Sequence, residues 1–188
     1  MVADQPLTNF FNSLCRKLGI KKPVVLVLSN SIQVPAAIGY FKPLVLLPAA
    51  AVNHLTPAQL ESVLLHELAH IKRNDYLWNM LLTVAETLLF FNPFMMLMVA
   101  TARRERENSC DDNVIGFQQN AAVYAEALLH IEHVRMQQPQ LLLALGNNKQ
   151  QLLQRVKRIL NVPDTPARIS RRITALLLVT ILFACLGW

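Results

Sequence analysis

Apolar positions along this chain follow a helical period first, then run together, then return to the helical period. Leu7, Phe10, Phe11, Leu14 and Leu18 keep the 3.6-residue repeat, which predicts an amphipathic helix over 7–19 with Gly19 at its end. "PVVLVLS" (23–29) is a β-branched apolar run and reads as a strand. "VPAAIGYFKPLVLLP" (34–48) divides into two apolar runs about a Gly39–Pro43 break, the pattern of a hairpin with "LVLL" as its second strand. From Thr56 onward the pattern is helical. Thr56 suits an N-cap, Pro57 the first helical position and Gln59 the far side of a capping box, so a helix is expected over 57–73. Asn74 and Asp75 then suit the cap of a helix over 76–91, and Asn92-Pro93 interrupts. Further helices are expected over 93–115, 121–136 and 149–160. The fold class this implies is α+β, mainly helical with a small β-sheet or hairpin.

Composition changes the picture in one respect. Hydrophobic residues make up 53% of the 188 and charged residues only 16%, against roughly 25% charged in ordinary soluble domains. A folded domain tied to a bilayer accounts for this better than a free domain or a pure membrane bundle. The stretch "ITALLLVTILFACLGW" (173–188) carries no charge and follows Arg168, Arg171 and Arg172. As a helix it covers roughly 24 Å of a hydrocarbon core of roughly 30 Å. The expectation is a C-terminal transmembrane helix over 172–188, cut short, with the preceding residues on the cytoplasmic side by the positive-inside bias; a C-terminal core helix is the alternative. Residues 76–100 are also apolar, but Glu86 and Pro93 break them up. A buried or interfacial helix pair competes there with a span, and the carboxylate needs a partner.

The net charge is +6, with basic clusters at 100–109, 154–160 and 166–172. No nucleic-acid motif accompanies them, so membrane lipid is the expected partner and nucleic acid is not. Cys15, Cys110 and Cys185 are odd in number and irregularly spaced, which is no disulfide framework. A reducing compartment fits them, and the N-terminal residues lack a secretory signal pattern.

The candidate chemistry lies in "LLHELAHIKRND" (64–75). His66 and His70 are four apart on a predicted helix, so both imidazoles reach one ion at about 2.0–2.1 Å. Glu67 lies about 100° around the wheel from His66. It borders the metal and is placed to act as general base. Leu60, Leu64, Leu68 and Ile71 form the apolar stripe of the same helix. The bland reading is a pair of core histidines with a surface glutamate, but each buried neutral imidazole would then need its own hydrogen-bond partner. A catalytic zinc site wants a third protein ligand. "RRERENSCDDNVI" offers Glu107 and Asp111, again four apart on one face, one to ligate and the other to hold a histidine tautomer. His54, His130, His133, Glu105 and Asp112 compete; His130 and His133 fit a structural or surface role better.

"GYFKPLVLLP", "LLHELAHIKRNDYLWN", "FFNPFM" and "RRERENSCDDNVI", in this order over about residues 20 to 160, resemble the membrane-embedded antirepressor metallopeptidases, the family of the beta-lactam-sensing signal transducers. The resemblance implies a zincin-like fold of gluzincin type. It implies zinc held by His66, His70 and Glu107, with Glu67 as general base and Asp111 behind the ligands. It also implies that a strand edge aligns substrate, with the hairpin at 34–48 as its source. The domain expected is a zinc metallopeptidase over 1–165, anchored at the inner membrane of a bacterium and facing the cytoplasm. Its substrate would be a cytoplasmic transcriptional repressor, the protein itself, or both. Relatives of this type carry several spans and some a sensor domain, which this stretch lacks. Two other readings compete: a membrane quality-control zinc protease, against which "FKPLVLLP" and the Cys110-Asp111 pair speak, and a zinc-stabilised relay without catalysis, against which Glu67 speaks.

Overall fold

The structure, a computed structural model, describes residues 4–136 and 145–162. The 172–188 segment expected to span a membrane lies outside them, as does Cys185. The element order is α1 (Gln5–Lys17), β1 (Val25–Ser29), β2 (Ala36–Ile38), β3 (Leu44–Pro48), α2 (Ala49–His54), α3 (Pro57–Lys72), α4 (Asp75–Leu88), α5 (Pro93–Gln118), α6 (Ala121–Met136) and α7 (Leu145–Ile159). The result is α+β, mostly helical with one small sheet. The short helix α2 was not expected, since His54 read as loop. The two cysteines described, Cys15 and Cys110, are free and buried.

Helix α1 ends as its sequence suggests. Gly19 sits at φ +71°, and the N–H groups of Gly19 and Ile20 bond back to the carbonyls of Arg16 and Cys15. That is a Schellman closure, which needs the left-handed conformation glycine adopts without strain. The sheet has the order β1-β3-β2, with β1 parallel to β3 and β2 antiparallel to it. The hairpin prediction holds for β2 and β3. Gly39 in their connection has φ +87°, and a Cβ there would meet the Lys42 carbonyl oxygen at 2.9 Å. A glycine is therefore required at this turn. Strand β2 lies on the sheet edge, and its outer side pairs with no strand among the described residues.

Helix α3 runs through the middle of the domain. Its capping box is complete: Thr56 Oγ1 accepts from Gln59 N–H, and Gln59 Oε1 accepts from Thr56 N–H. A cap of this kind contributes on the order of 1 kcal/mol. The apolar stripe expected on one face is only part of the burial, for every residue from 62 to 69 is buried. Leu60, Leu64 and Leu68 meet Phe11 and Leu14 of α1, Val45 and Leu47 of β3, and Val114 of α5 in the core. Helices α5 and α6 pack on the other sides of α3. The chemistry of residues 66, 67 and 70 is thus mounted on the best-buried helix, which fixes it in place.

Between α3 and α4, Asn74 takes a left-handed conformation (φ 58°) and makes no side-chain cap. The capping role expected of Asn74 and Asp75 is corrected here, because the Asp75 carboxylate turns back to His70 and Arg73. No helix among the described residues is long and apolar enough to cross a membrane. Residues 76–100 form a helix pair, α4 with the start of α5, joined through Phe90-Phe91-Asn92.

Candidate metal centre

His66 Nε2 and His70 Nε2 face each other at 3.2 Å. Glu107 on α5 brings Oε2 to 3.5 Å from His66 Nε2 and Oε1 to 3.9 Å from His70 Nε2. A tetrahedral zinc with bonds of about 2.0–2.1 Å sets its ligand atoms roughly 3.3–3.4 Å apart. The three side chains therefore fit one ion with little adjustment, and all their ligand atoms lie within 4.8 Å of one another.

The other ring nitrogens are held by hydrogen bonds. His70 Nδ1–H donates to Asp75 Oδ2 at 2.7 Å. His66 Nδ1 lies 2.8 Å from the Tyr124 hydroxyl oxygen and 3.3 Å from Asp111 Oδ1. Tyr124 in turn donates to Asp111 at 2.6 Å, and Arg155 on α7 donates to both oxygens of Asp111 at 3.0 and 2.6 Å. With each Nδ1 engaged by an oxygen, both Nε2 lone pairs are left to converge on one point. That is the outer hydrogen-bonding pattern metal-binding histidines require.

The charges follow this geometry. Burial alone would lower the His66 pKa, but hydrogen bonds to Asp111 and Glu107 outweigh it and push it up to about 9. Burial would raise Glu107, yet the bond to His66 and the charges of His66, His70 and Arg155 bring it down to about 2. Asp111 is likewise held far below the carboxylate range: burial opposes this, and bonds to His66 and Arg155 prevail. Without a metal the site is a compensated cluster of one shared cation system and several carboxylates. A metal ion bound here would take the place of the proton on His66, since imidazole ligates as the neutral ring.

Cys110 Sγ lies 3.4 Å from His70 Nδ1 and 3.6 Å from Asp75 Oδ2, so His70, Asp75 and Cys110 form a second close group. Burial, then the charges of Asp75 and Glu107, push the Cys110 thiol well up. The thiolate is the ligand form of cysteine. This second group is accordingly a hydrogen-bonding support for His70, and Cys110 is a buried packing residue within it.

The centre opens into a cavity of about 460 Å³ lined by His66, Glu67, His70, Glu107, Arg106 and, on the far wall, strand β2. Glu67 lines it beside His66, and its residue is buried. The structure thus brings His66, Glu67, His70, Glu107 and Asp111 together from α3 and α5. It keeps the competitors apart from them. His54 stands beside His130, with ring centroids 6.0 Å apart. Glu105 pairs with Arg104, and Asp112 accepts two 2.6 Å bonds from Arg158. Sequence reasoning missed Asp75, Tyr124 and Arg155. Asp75 stands five residues after His70 and was legible as an acid next to a ligand. Tyr124 and Arg155 carried no local signal, Tyr124 being 58 residues from His66 and Arg155 44 from Asp111.

Two imidazoles and a carboxylate converging in a cleft beside a sheet edge define a candidate metal centre of peptidase type. The chain belongs to the BlaR1 peptidase M56 family, whose pattern it matches over residues 1–159. It is 27% identical over 169 residues to the methicillin resistance mecR1 protein of Staphylococcus aureus (strain Mu50 / ATCC 700699), covering 86% of this chain and 28% of that protein. It is 26% identical over 191 residues to the regulatory protein BlaR1 of Bacillus licheniformis, covering 100% of this chain and 31% of that one. The regulatory protein BlaR1 of Staphylococcus aureus is 24% identical over 147 residues. The chain therefore spans less than a third of the length of these relatives.

Proposed function

We propose that residues 1–165 form a zinc-dependent endopeptidase domain of gluzincin type, tied to a bacterial inner membrane on its cytoplasmic side. The observation that carries this reading is the pair of Nε2 atoms 3.2 Å apart, each ring held from behind by an oxygen, with Glu107 beside them. His66, His70 and Glu107 hold the metal. When bound, zinc supplies a Lewis acid that acidifies water and polarises a peptide carbonyl. Glu67 takes the proton of the attacking water and delivers it to the leaving amine. Asp75 and the Asp111–Tyr124 pair fix the two histidine tautomers, and Arg155 keeps Asp111 ionised. An extended peptide pairs with the free edge of β2, which lays its backbone across the cavity.

The relatives are named as a methicillin resistance protein and as regulatory proteins. By analogy the substrate is a cytoplasmic transcriptional repressor, the protein itself, or both, cut to relay a signal connected with beta-lactam resistance. The arginines at 168, 171 and 172 and the apolar segment after them support the membrane placement.

The test is expression of the wild type and Glu67→Gln with candidate repressors, followed for repressor and self-cleavage fragments. The variant should keep one zinc per chain and lose cleavage by about 10²–10⁴-fold. Equal fragment yields from both proteins would remove Glu67 as the base. A wild type that holds zinc and cleaves nothing, itself included, would favour a non-catalytic relay. Cleavage of damaged membrane proteins in place of repressors would point to quality control.

A further inference from the structure

Between Asp75 and Arg103 the chain carries a single charge, Glu86. Fourteen large apolar or aromatic side chains from Tyr76 to Met98 are nevertheless exposed. Soluble monomers rarely expose a contiguous apolar patch above a few hundred Å². Exposure is greatest at the tip, where Phe90, Phe91 and Phe94 are 70–74% exposed.

The polar groups of this hairpin find their partners within it. Glu86 on α4 pairs with Arg103 on α5 at 2.7 Å, and Asn79 accepts from Arg106 at 3.2 Å. The hydroxyls of Thr83, Thr87 and Thr101 donate to carbonyls of their own helices at 2.8–2.9 Å. Asn92 Oδ1 accepts from Phe94 N–H at the turn. The polar groups of the hairpin thus have their hydrogen bonds closed within it, and the outer surface is apolar on several sides. A face made for one protein partner would show a single apolar stripe. An apolar outer surface with its hydrogen bonds closed internally suits hydrocarbon.

Length and charge make the fit narrower. Helix α4 rises about 21 Å, and α5 rises about 15 Å from Pro93 to Arg103. One leaflet is roughly half of a 30 Å hydrocarbon core. Both legs begin at a basic collar: Lys72 and Arg73 precede α4, while Arg103 and Arg104 close the apolar part of α5. Arginine and lysine in this position attract anionic headgroups and keep their charges at the surface.

We propose that the α4–α5 hairpin is a monotopic prong that seats in one leaflet of an anionic bilayer, with Phe90, Phe91 and Phe94 deepest and the Lys72/Arg104 collar at the headgroups. This seating does not depend on peptidase activity. A wild type that cleaves repressor while its hairpin stays in water would leave the peptidase reading intact and remove the prong.

The test uses the full chain in vesicles of phosphatidylcholine with and without phosphatidylglycerol. Phe91→Trp in a Trp78→Phe, Trp188→Phe background reports the tip; Trp188→Phe alone leaves Trp78 to report the base. In anionic vesicles the tip reporter should be quenched most by lipids brominated deep in the acyl chain, and the base reporter by those brominated near the headgroup. Aqueous iodide quenching of the tip should fall several-fold on vesicle addition. Phe94→Trp is the second tip reporter should the first variant fail to give the wild-type circular dichroism. Lys72→Gln and Arg104→Gln should each weaken partition into anionic vesicles about fivefold, with neutral vesicles unaffected. Three outcomes overturn the proposal. These are a tip still reached by external iodide, a tip shielded from both iodide and bromine (which means a second protein surface covers it), and a tip reached by iodide trapped inside the vesicle. A tip reporter reads depth at that point alone, so anchoring by residues 173–188 does not imitate it.

Discussion

The metal cleft and the α4–α5 hairpin are built by opposite rules, and α5 belongs to both. At its start α5 is apolar and exposed, with Leu97 66% exposed. About four turns later it carries a buried charge, with Asp111 at 0%. In the cleft each charged group sits against partners that no solvent supplies: Asp111 with Arg155 and Tyr124, Glu107 with His66. In the hairpin the packing that usually covers apolar groups is absent among the described residues. One helix thus changes the environment it is written for along its length. Its hydrophobic pattern is therefore legible only when its two halves are read separately.

The contrast is sharpest in the cost of altering each region. Asp111→Asn removes the fully buried carboxylate that the half-buried Arg155 guanidinium grips, and breaking such a pair costs about 3–5 kcal/mol. Urea unfolding of the metal-free protein should report a loss of that size. The same pair has a pH signature. The folded pKa of Asp111 lies below its unfolded value of about 3.9, so its contribution is complete above that pH and is lost as the pH falls. An acid titration should lose this phase in the variant.

In the core beside the cleft, Leu64→Ala should cost about 2–5 kcal/mol by the same measurement, because Leu64 is fully buried. The next effect belongs to the ligands. The hydrogen bonds to Asp111 and Glu107 hold the His66 pKa up at about 9 without metal, so zinc binding at pH 7 should release close to one proton from it. Apparent affinity should then rise about tenfold between pH 7 and pH 8, or about 1.4 kcal/mol. Calorimetry in buffers of different ionisation heat checks both. The smallest effect should come from the hairpin. Leu97→Ser changes an exposed side chain and should shift urea stability by no more than about 0.5 kcal/mol. A cost in water as large as that of Leu64→Ala would mean that the hairpin is part of the core, and the contrast would collapse.

What the sequence made legible follows the same division. The capping box at Thr56 and Gln59, the helix carrying His66 and His70, and the strands at 25–29 and 44–48 are each written within a few adjacent residues, and local physics fixes them. The pairing of β1 with β3, by contrast, depends on a crossover, and nothing in "PVVLVLS" specifies its partner. Helix α2 is too short to establish a period. Within the site, His66 with His70 and Glu107 with Asp111 could be picked out by four-residue spacing, and Glu67 by its place beside His66. Tyr124 and Arg155 could not, because their roles exist only once α6 and α7 have packed. Asp75 was misread as a cap because an acid at a helix start has two local uses, and a left-handed Asn74 turned it toward the other.

The grip of Arg155 on Asp111 also bears on how the protein is made. Synthesis runs from the N-terminus, so the histidines, Glu107 and Tyr124 are all in place before residue 155 is added. Until α7 docks, Asp111 lacks the guanidinium that bonds both of its oxygens. The last helix of the described residues is thus the one that finishes the arrangement behind His66, after every residue proposed to hold a metal has been made.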